Sequence, residues 1–454
     1  MKNVEAAIDM SDTSYDTAWA TLSMANKTKE PSVKRHDEAP SAPSLPAPLP
    51  EQETHGREPS PEDAVALAHI EEPAQEASKE PASKGFVGLP QKDQRGWTLD
   101  TWIKRPPCPQ QDFYLGHQLV STSNASEDCL HLNIWTPPSS CGSTKEQEAC
   151  ELRTLYDGRY LSALGNLVVV VPNYRVGPLG FLSSRVGTSL PGNLGLHDQR
   201  LALEWTRANI DSFGGSALHL VLAGHDAGAT SLGYHLFSGD TTFWTQNVDR
   251  FILQSGGPFH SYEGQNVEGA RQLIASLRCP GDISSEVTLG CLQRAHVDAI
   301  ARSPMAPSFV PVFGREPLPR PQPLEARNTS AQEVCPMSEL AEQLYAWHNR
   351  VYVYVLGYRP SYSSWLSETA AVHFEDMELV FGMPLRPDVV SSDLDKAWSR
   401  TMIQVKPPAV NNLSWPRYDS TMHTIMKLGP HIITEQGETK RKRCNLLRDT
   451  SLPH

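Results

Sequence analysis

Short apolar runs rich in β-branched residues recur along the chain from residue 167 onwards. They predict buried strands at 167–171, 218–223, 251–253 and 351–356. Patterns with helical spacing lie between them. One begins at Asp198, an acidic N-cap, and continues to Ile210, and another covers 229–237. Strands that alternate with helices predict the α/β class, with a mostly parallel central sheet flanked by helices on both faces.

A turn between two glycines follows the second of these predicted strands. Residues 224–228 have the sequence Gly-His-Asp-Ala-Gly and precede the helical pattern. This is the frame of a nucleophile elbow, in which glycines let a strand turn sharply into a helix and hold one side chain up in the turn. Ester hydrolysis needs serine at the raised position, and here that position is Asp226. Because ligands of open α/β sheets bind at the carboxyl ends of strands, Asp226 is the leading candidate site residue.

Several blocks around this turn resemble type-B carboxylesterases and cholinesterases and occur in the order of that family. They are SEDCLHLNIWTP at 126–137, NLVVVVPNYRVG at 166–177, GNLGLHDQ at 192–199, FGG at 213–215, LQSG at 253–256 and VFGMPL at 380–385. The resemblance covers residues 106–444 and implies an α/β-hydrolase fold. It also implies that the fold is incomplete, because the family's N-terminal strands and three of its later segments have no counterpart here.

The resemblance assigns catalytic positions to three residues. Asp226 stands at the nucleophile position, His373 stands at the position of the base, and the N–H of Ala227 remains as a donor of the oxyanion hole. The family's glycine-rich HGGGF loop, which supplies the other donors, is expected within 138–156. This chain has a polar stretch there instead. The loss of one such donor typically costs about 10²–10³ in rate.

The acid that would orient the base is expected between residues 311 and 335. That interval offers three carboxylates, Glu316, Glu325 and Glu333. None of them stands in the family's GVNxDEG context, so no acid is assigned. The glutamate that precedes the family's nucleophile is replaced by His225. A metal triad of His225, Asp226 and His373 has no supporting spacing motif, so neither a metal nor another cofactor is expected.

Three hypotheses about function remain open. The favoured one is a non-catalytic member of the family that binds an extracellular protein partner, because the site has lost its hydroxyl nucleophile, oxyanion loop and acid. The second is a hydrolase with Asp226 as covalent nucleophile and His373 as base, as in related α/β-hydrolases that act on epoxides and alkyl halides. The third is an internally truncated version of an active carboxylic ester hydrolase, in which the loss of a strand leaves its neighbours to re-pair or to expose unpaired edges.

The first 85 residues differ in composition from the rest of the chain. They are rich in Pro, Glu, Ala and Ser. They contain eight Lys and Arg residues and sixteen Asp and Glu residues, so they contribute −8 to the net charge of −12. Such a segment buries too little apolar surface to offset its ordering entropy, so residues 1–85 are predicted to be a disordered acidic extension. Residues 445–454 are predicted to be a C-terminal tail. The acidic balance gives no indication of nucleic-acid binding.

The eight cysteines indicate an oxidising compartment. The family resemblance implies three disulfides: Cys108–Cys129, Cys279–Cys291 and Cys335–Cys444. Cys141 and Cys150 have no family counterpart, so their pairing, with each other or otherwise, stays open.

Four sequons are compatible with glycosylation of an exported protein: Asn26, Asn124, Asn328 and Asn412. Together with the cysteines they predict an extracellular or cell-surface location. No signal peptide is visible at the N-terminus, and no run reaches the roughly 18 apolar residues of a membrane span. The sequence does not indicate an oligomeric state.

Overall fold

The computed structural model describes residues 5–9, 20–26, 105–115, 118–120, 122, 124–137, 158–183, 192–238, 241–258, 263–312, 334–363, 375–403, 409–410, 413–429 and 433–436. Contacts group Met1–Lys27 and Ser83–His454 into one unit, to which all of these residues belong. The second unit, Thr28–Ala82, lies outside the described residues.

The strands of the described residues are, in chain order, β1 (Glu5–Asp9), β2 (Ala20–Asn26), β3 (Phe113–Leu115), β4 (Gln118–Val120), β5 (Leu132–Trp135), β6 (Leu167–Pro172), β7 (Leu220–His225), β8 (Arg250–Gln254), β9 (Arg350–Leu356), β10 (Ala409–Val410), β11 (Leu413–Ser414), β12 (Thr424–Leu428) and β13 (Ile433–Gln436). Nine of them form one sheet in the order β13-β12-β9-β1-β8-β7-β2-β6-β5. The pairs β3–β4 and β10–β11 form two small separate ribbons.

The helices of the same residues are α1 (Arg159–Gly165), α2 (Gly177–Phe181), α3 (Leu194–Asn209), α4 (Ala227–Leu236), α5 (Thr241–Asn247), α6 (Glu263–Ser276), α7 (Glu286–Gln293), α8 (Val297–Ala301), α9 (Val334–Ala346), α10 (Glu375–Val380) and α11 (Asp393–Ile403). Short 3₁₀ turns lie at Ile210–Phe213, Ala306–Ser308 and Met383–Leu385.

Six of the nine strands of the large sheet run in one direction. β7, β8, β1, β9 and β12 pair in parallel along the sheet, and β6 shares their direction because β2 is antiparallel to both β6 and β7. Only β2, β5 and β13 run the opposite way. The predicted α/β class with a mostly parallel central sheet is therefore confirmed.

Apolar side chains of the central strand β7 alternate between two hydrophobic clusters. Leu220 and Leu222 pack on one face, in a cluster with residues of α3, α4 and α9. Val221 and Ala223 belong to a second cluster with residues of α1, α10 and α11. Since successive side chains of a strand point to opposite faces, this strand is buried on both sides. The sheet is thus covered by helices on both faces.

Two strands of the sheet come from the segment that composition predicts to be disordered. The prediction of disorder over 1–85 is wrong for Glu5–Asp9 and Ala20–Asn26, which form β1 and β2. β1 lies between β8 and β9, and β2 lies between β6 and β7. The physical reason is that strand pairing satisfies backbone groups through partners distant in sequence, which a local measure of composition does not detect.

The predicted acidic N-cap at Asp198 is also wrong. The helix α3 begins earlier, at Leu194, after Asn193 in a left-handed conformation (φ 53°). Asp198 is buried within the helix and accepts hydrogen bonds from Arg175: 3.0 Å from its backbone N, 2.8 Å from Nε and 2.6 Å from Nη2. The carboxylate of Asp198 therefore does not cap the helix. It forms a bidentate ion pair that links the loop after β6 to α3.

Two of the three disulfides that the resemblance implies are present. Cys108 and Cys129 are joined, as are Cys279 and Cys291. The pairing of Cys335 with Cys444 lies outside the described side chains, as do Cys141 and Cys150. Of the sequons, Asn124 is exposed, whereas Asn328 and Asn412 are not among the described residues. Within the described ranges, no helix combines the length and apolarity needed to cross a bilayer.

Candidate functional site

A sharp turn joins the carboxyl end of β7 to the first residue of α4. Its central residue, Asp226, has φ 52° and ψ −117°, a region that residues with a Cβ seldom adopt. The backbone N of Asp226 donates to the carbonyl of Gln254 at the end of β8 (2.9 Å). The backbone N of Thr230 donates to the carbonyl of Asp226 (2.9 Å), which begins the helix. The elbow predicted from 224–228 is therefore formed, with Asp226 at its tip.

Glycines make this turn possible because the chain segments approach too closely for side chains. A Cβ on Gly224 would lie 2.4 Å from the carbonyl carbon of Gly228. A Cβ on Gly256, which follows β8, would lie 2.3 Å from the carbonyl oxygen of Asp226. Both distances are far below van der Waals contact. The strand β7, the helix α4 and the segment after β8 are thus packed backbone against backbone at the elbow.

The elbow places a carboxylate next to the N-terminus of a ten-residue helix. Asp226 is half-buried and directly precedes Ala227, the first residue of α4, which is also half-buried. The N-terminal end of a helix carries a partial positive charge and stabilises a negative charge nearby. The elbow therefore presents a carboxylate beside the positive end of a helix dipole.

Beneath the turn lies a buried network that connects β7, β8, β9 and α10. His225 is fully buried, and its Nε2 lies 3.7 Å from Oδ1 of Asp376. Oδ2 of Asp376 accepts hydrogen bonds from Nε2 of Gln254 (2.8 Å) and from the hydroxyl of Tyr354 (3.3 Å). Oδ1 accepts the backbone N–H of Met377 (3.0 Å). These donors stabilise the buried carboxylate of Asp376.

A second acidic group lies on the same short helix, α10. Burial raises the pKa of Glu378 to about 7, and the negative charge of Glu375, one turn earlier, adds to the increase. Glu375 is fully buried. Three carboxyl side chains thus occupy six residues of α10. The described residues contain no group of three or more His, Cys, Asp or Glu placed to hold a metal ion.

Several predicted site residues lie outside the described part of the chain. His373, proposed as the base, is among them, so its distance from Asp226 is not defined. The same holds for residues 138–156, where the family's oxyanion loop is expected, and for the three glutamates considered as the acid, Glu316, Glu325 and Glu333. Of the predicted site, the structure brings together Asp226, Ala227 and His225.

Sequence reasoning missed the network around Asp376. Both partners lie next to predicted site positions in sequence, because Asp376 follows His373 by three residues and His225 directly precedes the elbow residue. No local pattern, however, predicts that residues 225 and 376 are in contact. The contact arises because α10 packs against the end of β7, and only the folded chain shows this.

A nine-stranded, largely parallel sheet covered on both faces, with a strand–elbow–helix turn at its centre, defines the α/β-hydrolase class. Comparison with known proteins narrows this class. The model of the carboxylesterase family matches residues 89–334, which is more than half of the chain. The chain therefore belongs to the carboxylesterase family.

Acetylcholinesterases are among its relatives. The chain is 38% identical to that of Danio rerio over 186 residues, which cover 38% of this chain and 28% of the relative. It is 41% identical to that of Gallus gallus over 184 residues, or 37% of this chain and 23% of the relative. A longer alignment with that of Bungarus fasciatus is 26% identical and covers 76% of this chain and 77% of the relative. In the first two comparisons the chain spans about a quarter of the relative's length.

Proposed function

We propose that this carboxylesterase-family protein has no esterase activity and acts by binding an extracellular protein partner. The observation that carries the proposal is the side chain at the tip of the elbow. Acyl transfer begins with attack by a hydroxyl oxygen on the ester carbon, and the resulting acyl-enzyme is hydrolysed by water. Attack by the carboxylate of Asp226 would give a mixed anhydride instead of an ester, without the oxyanion loop that stabilises the tetrahedral intermediate.

Among the described residues, the serine that follows β8 does not replace the missing hydroxyl at this position. Ser255 follows β8 next to Gly256, which packs against the elbow, but its relative exposure is only 4%. A buried hydroxyl cannot reach a substrate that enters from solvent. The strained turn thus presents Asp226, half-buried, where the family's chemistry requires an accessible serine.

Hydrolysis of acetylthiocholine and of p-nitrophenyl acetate tests the absence of esterase activity. We expect the wild-type chain, Asp226→Ala and Asp226→Ser to remain at the rate of a heat-denatured sample. Asp226→Ser restores the nucleophile but not the oxyanion loop. This variant therefore tests the effect of the missing loop separately from the effect of the missing nucleophile. Wild-type hydrolysis above this background that disappears in Asp226→Ala would contradict the proposal.

A second candidate function uses the same aspartate as a covalent nucleophile towards an epoxide or alkyl halide. An Oδ of Asp226 would displace the leaving oxygen or halide from carbon, and water activated by His373 would then cleave the resulting ester. The retained elbow favours this chemistry because it raises the carboxylate out of the strand. Incubation of a His373→Ala variant, in which hydrolysis of the ester is blocked, with an epoxide followed by peptide mass spectrometry tests it. An adduct on Asp226 of this variant would support this candidate, and an unmodified Asp226 after prolonged incubation would exclude it.

The extracellular or cell-surface location is part of the same proposal. It is supported by the disulfides Cys108–Cys129 and Cys279–Cys291, since structural disulfides persist in oxidising compartments. The exposed sequon at Asn124 fits export as well. Mobility of the secreted protein before and after treatment with a glycosidase tests this part. Retention of the whole protein inside expressing cells, unglycosylated, would contradict it.

A further inference from the structure

The strand β2 differs from the other inner strands of the large sheet. Among the described strands, it is the only inner one that runs antiparallel to both neighbours, since β5 and β13 lie at the two edges. Its neighbours β6 and β7 run parallel to each other and are connected through α3. In the chain, β2 follows β1 and precedes β3. The strand therefore lies between two strands to which it is not adjacent in sequence.

The strands on either side of β2 are held by other parts of the fold. Val170 of β6 and Leu222 of β7 belong to the hydrophobic cluster that includes residues of α3 and α4. Val169 and Val221 belong to the cluster on the opposite face. On their far sides, β6 pairs with β5 and β7 pairs with β8. The space between β6 and β7, here called the strand slot, is therefore bounded by strands that have support of their own.

The segment in the strand slot has a low propensity for β structure. Its sequence is ATLSMAN, in which Thr21 is the only β-branched residue, and alanine and asparagine are depleted in strands. The neighbouring strands have the sequences LVVVVP and LVLAGH and are buried along 167–170 and 220–225. In register, Ser23 stands between Val170 and Leu222. A weak strand former thus lies between two buried apolar strands.

We propose that the strand slot is a peptide-binding site in which an extended segment of the partner protein replaces β2. This inference rests on the proposed partner-binding function for the nature of the ligand. Backbone N–H and C=O groups of β6 and β7 bind the segment from both sides, which is the strand-addition mode of peptide recognition. Because β2 pairs along Ala20–Asn26, the segment is about seven residues long. Both faces of the neighbouring strands are buried, so the segment is apolar, β-branched and free of proline.

The connection to β1 sets the competition between β2 and a partner segment. Residues 10–19 link the two strands, and a short connection of this kind gives β2 an effective concentration in the slot on the order of 1 mM. A segment present at about 1 μM must therefore bind about 10³-fold more tightly than β2. Each β-branched residue in place of alanine, serine or asparagine favours a strand by up to about fivefold. Four such replacements in the sequence of β2 together approach the required factor: Ala20, Ser23, Ala25 and Asn26. A copy of β2 from a second chain gains no such advantage.

Fluorescence anisotropy of labelled peptides added to the full chain tests the site. The valine probe is the peptide of residues 18–27 that carries Ala20→Val, Ser23→Val, Ala25→Val and Asn26→Val. We expect half-saturation at about 1 μM for this probe and at about 1 mM for the unsubstituted peptide. A control peptide that also carries Leu22→Pro and Met24→Pro lacks two backbone donors and should not bind. No binding of the valine probe to the full chain would overturn the proposal.

A disulfide that locks β2 in the sheet shows whether the probe binds in the slot. Met24 stands opposite Val221, so oxidation of the variant with Met24→Cys and Val221→Cys holds β2 in place. We expect this variant to bind the valine probe at least about tenfold more weakly than the wild type. The variant with Thr21→Cys and Val221→Cys is the matched control, because its cysteines are out of register, and it should bind as the wild type does. Equal binding by both variants would place the probe elsewhere and overturn the proposal.

Hydrogen exchange on the wild-type chain gives a readout that needs no variant. When the valine probe is added, the amides of Ala20–Asn26 should exchange faster because this segment leaves the sheet, while those of β6 and β7 stay protected. Continued protection of Ala20–Asn26 at a saturating concentration of probe would overturn the proposal. The hydrolysis assays test the absence of esterase activity separately. A chain that neither binds the probe nor hydrolyses esters would therefore exclude the strand slot and leave the proposed binding function in place.

Discussion

At the scale of single residues, the elbow combines a demanding backbone conformation with a carboxylate side chain. Asp226 holds a positive φ of 52° with ψ −117°, although it is neither glycine nor serine. A conformation of this kind costs of the order of 1–3 kcal/mol and persists only when the surroundings enforce it. Here the hydrogen bond from the backbone N of Asp226 to the carbonyl of Gln254 holds the turn, and the absence of side chains at Gly224 and Gly256 permits it.

This strain leads to a stability prediction for the elbow. Glycine adopts positive φ without steric cost, although it also increases the entropy of the unfolded chain, so Asp226→Gly should raise the free energy of unfolding by about 1 kcal/mol. Asp226→Ala keeps the Cβ and should change it by less than about 0.5 kcal/mol. Urea unfolding measures both. A glycine variant less stable than the alanine variant would show that the turn is not strained.

The titration of His235 makes the free energy of unfolding depend on pH. Its pKa is about 3 in the folded chain, mainly because of burial, against 6.5 for an ordinary histidine. Between these values the unfolded chain binds a proton that the folded chain does not, so stability falls as the pH is lowered from about 6.5 towards 3. The slope approaches about 1.4 kcal/mol per pH unit over the middle of this window.

His235→Gln removes this titration. The free energy of unfolding, measured at several pH values between 7 and 4, should therefore fall less steeply in this variant than in the wild type, by the equivalent of about one proton. His296→Gln, which alters an exposed side chain, serves as the control and should follow the wild type. Identical slopes for wild type and His235→Gln would show that His235 is protonated normally in the folded chain.

At the scale of elements, the sequence predicts strands that consist of a continuous apolar run. It misses strands that lack such a run and that form through pairing with distant strands. The apolar run at 167–171 became β6 and the run at 218–223 became most of β7, because strands covered on both faces need such runs. The strand β2 has the sequence ATLSMAN, which has no such run. Its pairing of Ser23 with Val170 and Leu222 spans well over a hundred residues, which no local pattern encodes.

The strand β2 closes the sheet between β6 and β7. Without β2, the ladders of β6 and β7 would be separated by about two strand spacings, roughly 9.6 Å, and each would expose unpaired backbone groups. Antiparallel β2 fills this gap with register partners on both sides. This part of the predicted acidic extension is therefore an integral part of the sheet.

Cysteine pairs test the register of β2 directly. Met24 stands opposite Val221, so Met24→Cys combined with Val221→Cys should form a disulfide under mild oxidation. Thr21→Cys combined with Val221→Cys is the mismatched control, because Thr21 lies three residues, or about 10 Å, further along the strand. Non-reducing peptide mapping identifies the cross-link. Equal yields from both pairs, or no cross-link from the matched pair, would contradict the strand assignment.

At the scale of the whole molecule, the described residues are held by a core on both faces of the sheet and by the disulfides Cys108–Cys129 and Cys279–Cys291. Half of the candidate site follows from sequence, namely the elbow with Asp226, Ala227 and His225, because its glycine spacing is local. The network of Asp376 with Gln254 and Tyr354 does not, because three separate elements contribute to it.

The disulfides give a prediction at this scale. Titration of the denatured, unreduced protein with a thiol reagent should detect at most four of the eight cysteines, since Cys108–Cys129 and Cys279–Cys291 are bonded. Replacement of Cys108 and Cys129 by alanine should lower the free energy of unfolding by about 3 kcal/mol, as expected for a loop of this length. Eight reactive thiols in protein purified from the cell exterior would contradict the oxidised structure.

The central claim is that this carboxylesterase-family protein keeps the elbow but lacks a nucleophile for acyl transfer. Organophosphates phosphorylate the reactive serine of this chemistry irrespective of the substrate that an enzyme prefers. Intact-mass spectrometry of the chain after incubation with an excess of such a reagent is therefore the most direct measurement, with a serine hydrolase as positive control. We predict an unchanged mass. A stoichiometric phosphoryl adduct on any serine near the elbow would contradict the account.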